Sequence, residues 1–396
     1  MAKGTIFYIG AFELPDKNAA AHRVISNGKA LRDLGYNVVF IGATKSGSAL
    51  SIDKKEIFFG FDCYKRKKPS GSWSWIKYLA NIQPYKEIID RYNDTVAIIG
   101  YNVPSLVGFN LKKLGRRKGC KVFADSTEWY EIKKKGNSLV NFLVRYSDVY
   151  LRMRIINPKL DGVIAISGYL YDFYRKKGTK TVNIPPLVDI TDQKWKNDLE
   201  IGRHPVQLLY AGTPFSLYSE PSYKDRIDWI IEALFELKRE NNIAFRLHIV
   251  GIEKEQVETN FPHVKDALVF LNDFVIFYGQ ISHLEVIKKL KSVDYSLFLR
   301  SNSRSVKAGF PTKFVESISC GIPVLTNKNS NVTDYLTDGI NGWLIDLATK
   351  DTLHTTLKRA LFVGREKIFQ MKTTCYNSKM FDYRNYTEHF RKLIGS

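Results

Sequence analysis

The feature that most limits how this chain folds is a repeated alternation. Short apolar runs that end on glycine are each followed by a stretch with helical spacing. Thr5–Gly10 leads to a helical pattern over Ala19–Leu34, closed by Gly35, and Asn37–Gly42 is the next extended run. Thr95–Gly100, Lys121–Ala124 and Gly162–Ile166 supply further strands, with a helix over Ser105–Lys118 between them. A second series starts near Val206, with strands at Gln207–Gly212, Phe245–Gly251, Val275–Gly279, Ser292–Arg300 and Ile322–Asn327. Between its first two strands, Ile227, Ile230, Ile231, Leu234 and Leu237 recur at helical spacing within Asp225–Arg239. Such alternation predicts α/β architecture with parallel sheets wrapped by helices, since parallel neighbours need a crossover between them. Pro185–Pro205, with paired prolines and no sustained apolar period, marks the boundary between the two series.

Length and composition agree with two doubly wound domains. The chain has 396 residues, 44% of them apolar, enough for two cores and too apolar for disorder. No window approaches the roughly 18 unbroken apolar residues of a membrane-spanning helix. The first residues have too short an apolar run for a secretory signal and turn acidic at Glu13 and Asp16. Cys63, Cys120, Cys320 and Cys375 form neither a disulfide framework nor a paired metal motif, so a reducing cytoplasm is the expected setting.

Charge points to an anionic partner. The net charge is +20, and residues 1–200 carry 34 basic against 19 acidic side chains, while 201–396 carry 26 against 21. Nucleic acid, an anionic membrane surface or a phosphorylated substrate would each suit a basic first half, as would plain solubility. Tyr64–Lys68 precedes Trp73–Tyr78, and Lys133–Lys135 precedes Leu139–Ile156, where apolar and aromatic residues mix with Arg145, Arg152 and Arg154. Basic groups beside aromatic ones fit an interface with anionic lipid; core-facing helices with solvated lysines fit the same pattern. No nucleic-acid module is present, so no nucleic-acid partner is expected.

The stretch richest in chemistry is Lys307–Glu316, followed by Ser317–Thr326. It opens a helix at Thr312–Ser319 with Pro311 at its start. Gly309 lets the backbone approach a ligand, and the amides of Thr312, Lys313 and Phe314 would face an anion, helped by the helix dipole. Glu316, one turn on, suits a pair of sugar hydroxyls. A nucleoside diphosphate fits this set; a plain loop–helix junction fits it equally. In the first half, Gly10 ends the first strand and Asn18–Arg23 begins a helix, offering Ala20, His22 and Arg23 to a phosphate or acceptor, or a simple helix-surface pair. Asp125 and Glu128 follow the strand Lys121–Ala124, placed to take or orient an acceptor proton, or else to cap a helix. No HxH or HExxH pair and no strand-end carboxylate pair appears, so neither a metal site nor a bound cofactor is expected. His248, inside an apolar strand, reads as structural.

The run Gly309–Glu316 together with Ser319–Val324 resembles the donor-site signature of the family 4 glycosyltransferases, retaining enzymes of the GT-B architecture. Ala30–Phe40, Asp161–Ser167, Asn183–Asp189, Tyr210–Thr213 with Lys224 and Asp225, and Asn331–Trp343 resemble other family segments in the right order. The resemblance implies two Rossmann-like domains facing each other across a cleft: 1–190 on the acceptor side, 205–375 binding the donor, and 376–396 as a helix returning to the first. It implies that Lys224 and Arg300 hold the donor diphosphate, with Gly309, Phe310, Pro311, Thr312 and Lys313 alongside. Arg300 substitutes for an arginine the family has where Thr213 stands. Glu316 would bind the ribose, Tyr278, Gly279 and Gln280 would read the base through backbone groups, and Asp125, Glu128 and Lys224 would serve catalysis. Ala308 stands where the family has an acid that contacts the donor sugar. The implied function is metal-independent sugar transfer from a nucleotide sugar to a glycan or a lipid-diphosphate-linked acceptor, at the inner face of a bacterial membrane. Two alternatives are an epimerase of the same architecture and a non-catalytic subunit.

Overall fold

The computed structural model describes residues 2–15, 18–44, 54–67, 78–129, 139–202, 204–215, 223–241 and 243–395. These fall into two compact units. The first comprises 1–188, 308–310 and 382–396, and the second 189–307 and 311–381.

The first unit is built on an eight-stranded sheet. Its strands are β1 (Thr5–Gly10), β2 (Asn37–Thr44), β3 (Glu56–Phe58), β4 (Phe61–Lys67), β5 (Thr95–Tyr101), β6 (Lys121–Ser126), β7 (Gly162–Ala165) and β8 (Thr181–Asn183), in the order β3-β4-β2-β1-β5-β6-β7-β8. All neighbours are parallel except the β3–β4 hairpin at one edge. Every residue of β1 is buried, as expected of a strand covered on both faces. Helix α1 (Ala19–Asp33) starts where Asn18 caps it, its side chain accepting from the Ala21 amide at 2.9 Å. Two further helices, α2 (Ser105–Lys118) and α3 (Leu139–Leu151), follow β5 and β6. One core cluster joins Tyr8, Phe12, Phe40 and Phe123 to Phe390, Leu393 and Ile394 of the last helix. Full burial of each such ring is worth roughly 1.5–3 kcal/mol.

The hairpin corrects the reading of Tyr64–Lys68 as an exposed basic run. Tyr64 and Arg66 lie on β4, in register with Ile41 and Ala43, and both are buried. The Arg66 guanidinium lies 4.1 Å from the Tyr78 ring centroid and 4.8 Å from that of Tyr85. Trp73–Lys77 and Lys133–Lys135 lie outside the described residues.

The second unit carries a six-stranded parallel sheet. Its strands are β9 (Val206–Ala211), β10 (Phe245–Val250), β11 (Val275–Phe277), β12 (Tyr295–Phe298), β13 (Val324–Asn327) and β14 (Gly342–Ile345), ordered β11-β10-β9-β12-β13-β14. The order reverses between β9 and β12, the switch point where sheets of this kind open a crevice at their carboxyl ends. The site-forming helices are α4 (Ile227–Asn241), α5 (His283–Lys291) and α6 (Thr312–Ser319); α7 (Thr387–Ile394) closes the chain within the first unit.

Candidate functional site

At the carboxyl ends of β9 and β10 the chain passes through Gly212 and Gly251, with φ of +145° and +99°. A Cβ on Gly251 would lie 2.8 Å from the Gly212 carbonyl oxygen, so the two strand ends meet backbone to backbone. Beside them opens a cavity of about 310 Å³ lined by Gly212, Gly251, Gln280, Val286, Lys313 and Glu316, among others, all from the second unit. That volume is at the lower end of the range for small-molecule sites.

Helix α6 brings two of these residues. Pro311 precedes its first turn without a side-chain cap. The Phe314 amide donates to the Pro311 carbonyl at 3.0 Å, so it is not open to an anion, contrary to the expectation. The Thr312 and Lys313 amides have no acceptor among the described residues, and they remain the open pair at this helix start.

The Lys313 ammonium donates to Asp225 Oδ2 at 2.5 Å and sits over the rings of Tyr210 and Phe298, 4.5 and 5.2 Å from their centroids. Asp225 is buried and also accepts from the Tyr210 hydroxyl at 3.1 Å, while Arg300 Nε lies 3.3 Å from its other oxygen. Burial alone would raise the Asp225 carboxyl, but Lys313 and Arg300 outweigh it and hold it below the usual carboxylate range. Burial pulls the Lys313 ammonium below its ordinary value, against the opposing pull of Asp225. One carboxylate between two cations leaves a surplus positive charge, with Lys313 as the member that reaches the cavity.

This arrangement corrects the expectation for Arg300. Its side chain is only 5% exposed, and its backbone is clasped by the Asn327 side-chain amide, which accepts from the Arg300 amide at 2.8 Å and donates to its carbonyl at 3.0 Å. Arg300 braces Asp225 and does not face a diphosphate. Lys224 is exposed on a turn whose amide donates to Pro214 and whose carbonyl accepts from Ser301; it does not line the cavity.

Glu316 reaches the cavity with one oxygen engaged, Oε1 lying 2.9 Å from His283 Nε2. His283 opens α5, whose start is fixed by the Ser282–Glu285 capping box. Neither Asp225 nor His283 stood out as a site residue in the sequence. The capping box was the available signal for His283, because it places residue 283 at a helix start after a strand. Tyr278 and Gly279 do not offer all their backbone groups to a base. The Tyr278 amide donates to Ile249 and the Gly279 carbonyl accepts from Gly251, at 2.9 and 2.7 Å. Gln280 is exposed at the cavity. Ala308, Gly309 and Phe310 group with the first unit, where the Ala308 carbonyl accepts from Ser167 Oγ at 2.7 Å.

In the first unit the expected acceptor residues divide. Asp125 is 0% exposed. It accepts from the Tyr8 hydroxyl at 2.5 Å and from Arg23 Nε and Nη2 at 2.8–3.1 Å. Arg23 Nη1 donates to the carbonyls of Ile184 and Pro185 at 2.9 and 3.1 Å, and Asn27 donates to the Tyr8 oxygen at 2.9 Å. Burial, with Asp125 next, pushes the Tyr8 phenol well above its ordinary value. This closed network overturns two expectations: Asp125 is not placed to take a proton from an acceptor, and Arg23 is not placed to hold a phosphate. Gly10 is required by packing, since a Cβ there would meet the Tyr101 carbonyl oxygen at 2.6 Å. Ala20 and His22 are half-buried on the first turn of α1, and Glu128 is exposed beyond β6.

His248 is structural, as read from its strand. The Gln207 side-chain amide nitrogen donates to the Pro205 carbonyl, which turns its oxygen toward His248 Nε2 at 2.9 Å. Nε2 is therefore the donor, and Nδ1 accepts from the Tyr278 hydroxyl at 2.9 Å. Burial, then Lys289 and Arg246, push this imidazole down to about 4.

Residues 212–366 match the family model described as glycosyl transferases group 1. A search of curated proteins finds no match. Among solved structures, sucrose-phosphate synthase from Thermosynechococcus elongatus superposes with a TM-score of 0.71 at 14% identity, covering 98% of each chain. The catalytic domain of starch synthase IV from Arabidopsis thaliana, bound to ADP and acarbose, gives 0.69 at 12% identity over 99% of each chain. The Anabaena protein HepE in complex with UDP and glucose gives 0.59 at 13% identity over 98% of each chain. The chain therefore has the GT-B fold, two Rossmann-like parallel-sheet domains, and the match to the glycosyl transferases group 1 model lies in its residues 212–366.

Proposed function

We propose that this protein is a retaining glycosyltransferase that moves a sugar from a nucleoside diphosphate sugar to a glycan or lipid-diphosphate-linked acceptor. Its proposed setting is bacterial surface-polysaccharide synthesis, at the inner face of the membrane. The observation that carries the reading is the cavity beside Gly212 and Gly251, where the Lys313 cation, the open amides of α6 and Glu316 converge. In this reading the amides of Thr312 and Lys313, with the Lys313 ammonium, neutralise the diphosphate as it departs. Glu316, oriented by His283, accepts from the ribose hydroxyls. Gln280 contacts the base. Glu128 and His22 are the first unit's proposed acceptor residues. The acceptor hydroxyl attacks the face the leaving group vacates, and the departing phosphate oxygen takes its proton, so no metal is required. Fold relatives solved with a nucleotide, ADP in one and UDP in another, support a nucleotide as the ligand.

The test is a thermal-shift screen of nucleoside diphosphates and their sugars. A ligand present at about 100 times its Kd stabilises by about 2.7 kcal/mol. At least one sugar nucleotide should raise the melting temperature of the native chain, and Lys313→Met and Glu316→Ala should each abolish the rise. If no sugar nucleotide stabilises the chain, the reading fails. Ala308, in place of an acid, favours a second reading, a donor-binding subunit without activity. Donor hydrolysis that Glu316→Ala abolishes would exclude it.

A further inference from the structure

A helix lying on a globular core turns its apolar stripe inward. Helix α3 (Leu139–Leu151) does the reverse. Leu139, Phe142, Leu143, Tyr146 and Tyr150 follow the i, i+3, i+4 spacing of one face. Four of them are 54, 49, 52 and 46% exposed (Leu139, Leu143, Tyr146 and Tyr150), and Phe142 is half-buried. The rings of Phe142, Tyr146 and Tyr150 stack in a ladder, with successive centroids 6.1 and 6.3 Å apart. On the opposite face Asp148 accepts from the Ser105 amide and hydroxyl at 2.7 and 2.9 Å. That carboxylate caps the start of α2 and fixes which way α3 faces. The polar anchor is turned to the protein and the apolar stripe to the outside.

The charges exposed by the two helices have one sign. Neither helix presents an exposed acid, because α2 contains none and Asp148 of α3 is spent on Ser105. Helix α2 exposes Leu106 and Phe109, at 48 and 43%, and its later turns expose Lys113, Arg116 and Arg117, while Lys118 pairs with Asp90 at 2.8 Å. The Lys113 ammonium lies 4.4 Å from the Phe109 centroid. Exposed Arg145 and Arg154 flank the stripe of α3, and the Arg154 guanidinium lies 5.5 Å from the Tyr150 centroid. Apolar and aromatic residues beside an excess of cations match the interface of an anionic bilayer, where tyrosines lie at headgroup depth and basic groups meet lipid phosphates.

We infer that the α2–α3 surface docks the first unit onto anionic lipid, with Leu143 and Tyr146 entering the acyl boundary. This deepens the membrane-facing part of the proposed function and rests on it, but uses none of the donor-site residues. Within the described residues no helix is long and apolar enough to cross a membrane, so the contact is one of docking and not of spanning.

The experiment pellets the full chain with vesicles of phosphatidylcholine alone, or containing about 30% phosphatidylglycerol, without any nucleotide. Binding is expected on the anionic vesicles only, with loss at high salt. The double variant Leu143→Ser/Tyr146→Ser should lower the partition coefficient by about tenfold or more. Its melting temperature should not change, because both side chains are exposed. Lys113→Glu/Arg117→Glu should weaken binding and remove most of the salt dependence. Wild-type partition by the first variant, or no pelleting of the native chain at low salt, overturns the inference. Lipid-free sedimentation showing a dimer that the same variant dissociates also overturns it, since a second copy would then cover the stripe. Nucleotide-induced thermal shift on the same samples separates the two ideas. A retained shift without vesicle binding sinks the surface alone; vesicle binding without a shift sinks the donor site alone.

Discussion

Replacing Asp125 by alanine separates a buried strut from a catalytic acid–base group. The carboxylate has no exposure and takes hydrogen bonds from Tyr8 and from two nitrogens of Arg23. Its removal leaves a guanidinium, itself 2% exposed, with only the Ile184 and Pro185 carbonyls as partners. Breaking one half of a buried ion pair costs about 3–5 kcal/mol. A unit of this size loses about 2–4 °C per kcal/mol, so the melting temperature of the first unit should fall by roughly 6–20 °C. Asp125→Asn keeps an acceptor and should cost less. The double change Arg23→Leu/Asp125→Leu should cost less than Asp125→Ala, since no unpaired charge remains. The assay is calorimetry or circular dichroism beside steady-state turnover. A catalytic acid–base role predicts another outcome, an unchanged melting temperature with turnover down by about 10²–10⁴. That result for Asp125→Asn would refute the structural assignment.

The second unit offers further tests. Gly251→Ala should destabilise by about 1–3 kcal/mol in denaturant titration, because φ is +99° and the new Cβ meets the Gly212 backbone. Gly212→Ala sets a Cβ 2.8 Å from Lys313 Nζ, so nucleotide affinity in calorimetric titration should fall by about tenfold; unchanged affinity would place the diphosphate elsewhere. Asp225→Asn removes the larger of the two carboxylates that raise the Lys313 ammonium, Glu316 being the other, so Lys313 should then lose its proton at lower pH. The alkaline limb of nucleotide binding should accordingly move to lower pH, as read from Kd against pH. His248 titrates near 4 when folded and near 6.5 when unfolded, so the unfolded chain binds the extra proton between these values. Its contribution is intact above about pH 6.5 and is lost as the pH falls toward 4. His248→Gln should flatten that part of the stability–pH curve.

Much of the fold was legible because it depends on local pattern. Thr5–Gly10, Ser105–Lys118 and Thr312–Ser319 lie where periodicity and end signals put them. What sequence hides is pairing over distance. Asp125 meets Arg23 across 102 positions, so two charges that read as acting on a substrate are partners of each other, and Lys313 meets an aspartate 88 positions away that the sequence did not single out. β4 was missed for a related reason. Its alternation of buried and exposed side chains includes a buried arginine, and a guanidinium between two tyrosine rings carries no apolar signature. In α3 the amphipathic pattern was plain, but periodicity cannot say which side meets the core. The Asp148–Ser105 contact does.

The last helix has a consequence for biosynthesis. Phe390 and Leu393 are 0 and 1% exposed within the first unit, and Lys121 donates to the Ile394 carbonyl. A ribosome delivers the first unit's strands early, yet their core lacks part of its interior until residues 382–396 have emerged. The second unit, translated in between, has all its elements available before that helix is made and can fold first, inverting the usual order of domain maturation. A stop codon near position 381 would therefore damage the unit whose strands are made first and spare the one translated after them.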